Sequence, residues 1–157
     1  MFSSSVPTAF ISGPLEPTSA FFSTHYTPRI AHAVAAGHSF VLGPSRGTDA
    51  LALTHLLESG VSPQRITVFL RESESKQRWA GRFRAQGVRI VVSGKTHMER
   101  DAAMTAASDY DILWYLTETE ARVLYGDQYR PRVSGTEKNE IRRRELAARA
   151  DISKIDG

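Results

Sequence analysis

Phe40-Val41-Leu42-Gly43-Pro44-Ser45-Arg46-Gly47-Thr48-Asp49-Ala50-Leu51-Ala52 is the stretch on which the reading of this chain turns. It reads as a short buried strand, a Gly/Ser turn and a helix that starts at once. Such a turn presents free backbone N–H groups and the positive end of the helix dipole, which together suit a phosphate. The pattern lacks the Gly-Lys-Ser/Thr ending of a Walker A loop and is not Gly-x-Gly-x-x-Gly. Two readings stand. In one, Thr48 or Asp49 caps a tight strand-to-helix turn. In the other, the amides after Gly43 and Gly47 hold a phosphate with Ser45, Arg46 closes over it, and Asp49 accepts from a ribose hydroxyl. A second small-residue turn, Ser134-Gly135-Thr136, opens the last helix. There too Ser134 or Thr136 serves as a cap, with Glu137 reaching back, and spare amides remain for a ligand. Two such turns point to a nucleotide or sugar-phosphate.

Outward from this stretch, strands alternate with helices. Strands are expected at Thr8–Ser12, Ser39–Leu42, Ile66–Leu70, Val88–Val92 and Tyr110–Leu116. Helices are expected from Ser23 or Thr27 to Ala36, at Thr48–Ser59, Gln77–Gln86 and Met98–Ser108, and from Gly135 or Thr136 to about Ala150. Pro28 suits a first helical turn and Gly37 a stop. Pro14 and Pro17 keep the segment after the first strand irregular. Residues 71–76 read as a charged loop, residues 117–134 as a long loop and potential lid, and Asp151–Gly157 as frayed. Near-continuous apolar strands separated by helices predict a parallel sheet covered on both faces. The fold class is α/β, a doubly wound parallel sheet of about five strands. Its ligand crevice lies beyond the strand C-termini, at Ser12-Gly13, Gly43–Asp49 and the loop from Thr117 to Thr136.

At 157 residues the chain is long enough for one domain with a full core. Apolar content of 41% and charged content of 24% are ordinary for a soluble protein. The net charge of +3, much of it from Arg142, Arg143, Arg144 and Arg149, makes no nucleic-acid stripe. The three adjacent arginines read as a solvated face. Without cysteine there are no disulfides or thiolate metal sites. No apolar run reaches the ~20 residues of a membrane span, and residues 1–6 lack signal-peptide character. A cytoplasmic protein without cofactor, membrane or nucleic-acid partner is expected. His25, His32, His38, His55 and His97 show no metal spacing; only His25, with Tyr26 beside it after the first strand's loop, is one to watch, and no Gly-x-Ser-x-Gly elbow is present. Trp79 and Trp114 read as packing residues, and Met104 as core.

Three segments in order resemble the SLOG superfamily of Rossmann-like proteins, which includes the LONELY GUY phosphoribohydrolases, DprA-type DNA-binding proteins and YspA-like proteins. Gly43-x-x-Arg46-Gly47-Thr48-Asp49-x-Leu51-Ala52 looks like the Gly-Ala-Arg-Gly-Ala-Asp-x-x-Ala turn of the YspA-like members. Glu99-Arg100-Asp101-x-x-Met104-x-x-x-Ser108-Asp109 resembles Glu-Arg-Lys-x-x-Met-x-x-x-Ser-Asp of the LONELY GUY enzymes. Ser134-Gly135-Thr136 resembles the end of their Pro-Gly-Gly-x-Gly-Thr-x-x-Glu motif. The likeness spans about residues 8–150. It implies a Rossmann-like nucleotide-binding homodimer and a hydrolase of the N-glycosidic bond in a nucleoside 5′-monophosphate. Gly13, Gly43, Ser45, Arg46, Gly47, Thr48, Asp49, Ser134, Gly135 and Thr136 would bind ligand, and Arg100 would be catalytic. The family's glutamate position falls on Asn139, and the neighbouring Glu140, rotated by about 100° on a helix, stands as candidate base. Asp49, Glu16 and Glu137 are other carboxylates in reach of such a role. Asp101 replaces the family's lysine. The rival reading is a nucleotide sensor without turnover, which the missing carboxylate favours; DNA binding is a third, disfavoured by the mild charge.

Overall fold

The computed structural model describes residues 6–131 and 133–156. Residues 1–5, read above for a signal peptide, lie outside the described residues, as does Gly157. Strands β1 (Thr8–Ser12), β2 (Ser39–Leu42), β3 (Ile66–Leu70), β4 (Arg89–Val92) and β5 (Tyr110–Leu113) form one parallel sheet in the order β4-β3-β2-β1-β5. Phe10 pairs in register with Val41 on one side and Asp111 on the other. The chain winds outward from β1 to β4, then returns across the sheet to place β5 on the far side of β1. The winding direction therefore reverses at β1, where the expected crevice lies.

The helices are α1 (Ser19–His25), α2 (Thr27–Ala35), α3 (Thr48–Glu58), α4 (Glu72–Ser75), α5 (Gly81–Ala85), α6 (His97–Ala106), α7 (Glu118–Tyr125) and α8 (Gly135–Asp156). Side chains alternate across the strands. Ala9, Ile11, Phe40, Leu42, Ile66 and Val68 form the larger core with α1, α2, α3 and α5. Phe10, Val41 and Phe69 form a smaller one on the opposite face, against Met104 and Ala103 of α6. α8 packs beside α6 and over β5. The parallel α/β architecture is thus that of a Rossmann-like fold.

Several elements differ from expectation for local reasons. The helix expected before Gly37 is two helices. Thr18 caps α1 by accepting from the Phe21 amide at 3.0 Å, and Pro28 opens α2 in its first turn. The charged loop after β3 contains α4, whose Glu74 accepts from the Arg71 amide at 2.7 Å. The helix expected at 77–86 shrinks to a short turn at Arg78–Ala80 followed by α5. The long loop after β5 contains α7. Thr117 and Glu120 exchange side-chain-to-backbone hydrogen bonds there at 3.1 Å each, a capping box. Strand β5 stops at Leu113 because the Trp114 amide turns to the Tyr26 hydroxyl. The last helix runs through the segment read as frayed. Among the described residues no helix is long and apolar enough to cross a membrane.

Candidate functional site

The turn between β2 and α3 is clamped by the loop after β1. Gly47 has φ +81°, and a Cβ there would stand 2.2 Å from the Leu15 carbonyl oxygen, so only glycine fits. Thr48 donates both its amide (3.1 Å) and its hydroxyl (2.8 Å) to the Pro14 carbonyl, so the amide after Gly47 is, contrary to expectation, not free for a phosphate, and Pro44 after Gly43 has no N–H to give. Gly13 allows an equally close approach. A Cβ on it would lie 2.2 Å from the Tyr26 hydroxyl and 2.6 Å from that of Thr48. Tyr26 is fully buried; its hydroxyl donates to the Ser12 carbonyl at 2.7 Å and accepts from the Trp114 amide at 3.0 Å. Burial pushes this phenol up to about 12, which keeps it a donor. The β1/β5 switch point is therefore bolted by a tyrosine, and a cavity lies farther along, beyond the end of β2, against Gly43, Ser45 and Asp49.

There the charged groups gather. One carboxylate oxygen of Asp49 accepts from the Ser45 amide at 3.2 Å and lies 2.9 Å from where a Gly43 Cβ would be. Its other oxygen has no hydrogen-bond partner among the described residues. Burial raises the Asp49 carboxyl from 3.8 to about 7, against the opposing pull of the Ser45 amide and Arg100. Arg100 enters from the first turn of α6, on the other face of the sheet. It is 5% exposed and donates to both Glu74 oxygens, at 3.0 and 2.9 Å. Asp101 lies 3.4 Å from the same guanidinium. Burial pushes the Glu74 carboxyl up, but the Arg71 amide and Arg100 outweigh it and hold it below its ordinary value. At Asp101 burial prevails over Arg100 and the carboxyl is raised. Arg46 is exposed on the turn, 3.4 Å from the equally exposed Glu16.

At the start of α3 the amides of Asp49 and Ala50 donate to no protein acceptor among the described residues. These are the unsatisfied donors of a helix N-terminus. At the start of α8, Ser134 Oγ accepts from the Glu137 amide at 3.1 Å. Thr136 and Asn139 are buried, and Arg142 donates to Asn139 Oδ1 at 2.6 Å. Glu140 accepts from the Tyr115 hydroxyl at 2.9 Å. No hydrogen bond or ion pair among the described residues joins Glu140 to Arg100 or to the Gly43–Asp49 turn.

The geometry thus groups Gly13, Gly43, Ser45, Arg46, Gly47, Thr48 and Asp49 with Arg100, while Ser134, Gly135, Thr136 and Glu140 belong to α8. One residue unremarked in the sequence joins the site: Glu74, which fixes Arg100. Tyr26, singled out there beside His25, closes the switch point. Glu74 stands three residues after Arg71 at the head of α4, a capping position that its spacing makes visible. Arg143 is not part of a solvated face. It donates to the Ser108 carbonyl (2.8 Å) and hydroxyl (2.6 Å) and to Asp111 (3.1 Å), tying α8 to α6 and β5. The Ser12 hydroxyl is buried without a partner at the end of β1. Among the described residues no group of three His, Asp or Glu could hold a metal. No protein-family model, curated protein or solved structure matches the chain.

Proposed function

We propose that this chain binds a nucleoside 5′-monophosphate or related nucleotide beyond the end of β2 and hydrolyses its base–ribose bond. The observation that carries the reading is Asp49, a carboxyl raised to about 7 that stands in the Gly43–Thr48 turn and faces Arg100. The free amides of Asp49 and Ala50 receive the phosphate at the positive end of α3, with Arg46 above it. N-glycosidic cleavage builds positive charge on the sugar and negative charge on the leaving base. A carboxylic acid that keeps its proton near neutral pH can supply that proton. In the proposed step water adds to the anomeric carbon and the C–N bond breaks. Its electron pair goes to the base, which takes the Asp49 proton at a ring nitrogen and leaves neutral, and water gives up its own proton to restore the acid. Arg100, held by Glu74, stabilises the charge on Asp49 between these transfers.

A second reading, binding without turnover, is favoured by Asn139. It is buried and bonded to Arg142 at the position where the resembled enzymes carry a carboxylate. One experiment separates the two. The protein is incubated with nucleoside mono-, di- and triphosphates, with free base read by chromatography and binding by thermal shift. Free base from a monophosphate supports hydrolysis. Stabilisation without free base supports the sensor. Absence of both signals rejects the nucleotide reading.

A further inference from the structure

A cavity of about 200 Å³ opens between α3 and α5, on the face of the sheet away from α6. Its floor is the Gly43-Pro44-Ser45 turn and Asp49; its walls are Leu53 and Thr54 of α3, Phe83 of α5 and Gln86 just after it. Leu53 and Phe83 are buried, so the walls are apolar where they are deepest. The Arg82 guanidinium lies 4.8 Å from the centre of the Phe83 ring and 5.7 Å from that of Trp79, an aromatic and cationic shelf on the α5 wall.

Size narrows the ligand. An apolar cavity of about 150 Å³ takes up benzene, and drug-sized ligands occupy about 300–1,000 Å³. The space here admits one flat ring and not a whole nucleotide. Chemistry narrows it further. Asp49 turns one carboxylate oxygen to Ser45 and leaves the other without a partner. A protonated carboxyl offers a donor and an acceptor side by side. An amino group next to a ring nitrogen is the matching edge.

We propose that the cavity between α3 and α5 binds an aminopyrimidine ring with its amino and ring-nitrogen edge on Asp49. The proposal rests on the nucleotide reading in one respect, that the ring belongs to a nucleotide. The turn from Gly43 to Asp49 serves both parts, floor to the ring on one side and phosphate cradle on the other. Asp49 then touches the base at the atoms from which a leaving-group proton would be delivered.

The test uses calorimetric titration of the whole protein with cytosine, cytidine 5′-monophosphate, adenine and ribose 5-phosphate. Thr54 is exposed on the α3 wall, so Thr54→Phe fills the cavity without disturbing the core. Gln86→Trp blocks it from the α5 wall if the first variant folds poorly. Cytosine and its monophosphate are expected to bind the wild type, and the blocked variant to weaken both at least tenfold while ribose 5-phosphate is unaffected. If the monophosphate binds the blocked and unblocked proteins equally, the cavity proposal is overturned and the nucleotide reading stands. If cytosine binds but neither the monophosphate nor ribose 5-phosphate does, the cavity stands and the nucleotide reading falls. Adenine binding in place of cytosine overturns the single-ring assignment, and binding of none of the four overturns both.

Discussion

The starts of α3 and α8 are both small-residue turns at the head of a helix, and they satisfy their backbone in opposite ways. At α8 the work is local: Ser134 caps the Glu137 amide three residues on, and a Cβ on Gly135 would meet nothing within 4 Å. At α3 the partners come from elsewhere in the chain. Thr48 is held by Pro14, Gly47 passes under Leu15, and Asp49 bends back to Ser45. Each start leaves two amides without an acceptor among the described residues. Only at α3 do those amides stand beside a carboxyl with a free oxygen, Asp49, and within reach of a guanidinium, Arg100. The contrast is the reason to place phosphate at α3 rather than at α8.

The largest effect that bears on this contrast is expected at Arg100. Arg100→Ala leaves the buried Glu74 with Arg71 as its one remaining cation among the described residues, at a cost of up to about 3–5 kcal/mol, visible as a lower urea midpoint. Loss of activity in that variant is therefore not diagnostic by itself. Activity assays belong on Arg100→Lys, which keeps a charge beside Glu74 while losing the two-oxygen contact. Next come the two glycines, a direct trial of the comparison. Gly47→Ala is expected to destabilise by at least about 1–3 kcal/mol, because alanine is strained at a φ of +81° and meets the Leu15 carbonyl. Gly135→Ala, free of contacts, is expected to be neutral or to stabilise by about 0.5–1 kcal/mol. Equal effects in thermal unfolding would break the contrast.

Asp49 adds a pH signature that α8 lacks. The folded state raises its carboxyl from 3.8 to about 7, so it holds the proton more tightly than the unfolded chain does. Its contribution to stability is therefore greatest below the lower value and is lost as pH rises toward the upper one. Asp49→Asn should flatten that part of the stability profile in denaturant titrations at stepped pH; an unchanged slope would mean the carboxyl is ordinary. The smallest effect is at the α8 cap, where Ser134→Ala should cost ~1 kcal/mol and leave nucleotide binding unchanged. Weakened binding there would return the phosphate to α8.

The sheet was legible because β1–β5 are short apolar runs bounded by turn residues; β1, β2 and β3 are buried on both faces, as parallel strands of that composition are, while β4 at the sheet edge leaves Val91 and Val92 exposed. The α3 turn was legible for the same reason, since Gly43 and Gly47 mark a strand emptying onto a helix. What stayed hidden depends on contacts between distant segments. Glu74 and Arg100 stand 26 residues apart in sequence, and nothing in either segment alone pairs them. Tyr26 stood out in the sequence by its place after the first strand's loop, but the bond of its hydroxyl from β1 to the end of β5 spans 88 residues and was not readable there. α7 was an avoidable omission: Thr117-Glu118-Thr119-Glu120 carries a capping-box spacing, masked by the polar composition around it. Arg143 looked solvated because it sits among arginines, yet the face it occupies is the one turned to β5.

The most direct measurement is the rate of free-base release from nucleoside monophosphates by the wild type and Asp49→Asn across a range of pH. With Asp49 as the acid, the wild-type rate should fall as pH rises through about 7, and Asp49→Asn should release no base while still binding the nucleotide. Base release by Asp49→Asn at the wild-type rate, or a wild-type rate indifferent to pH through that range, would contradict the assignment.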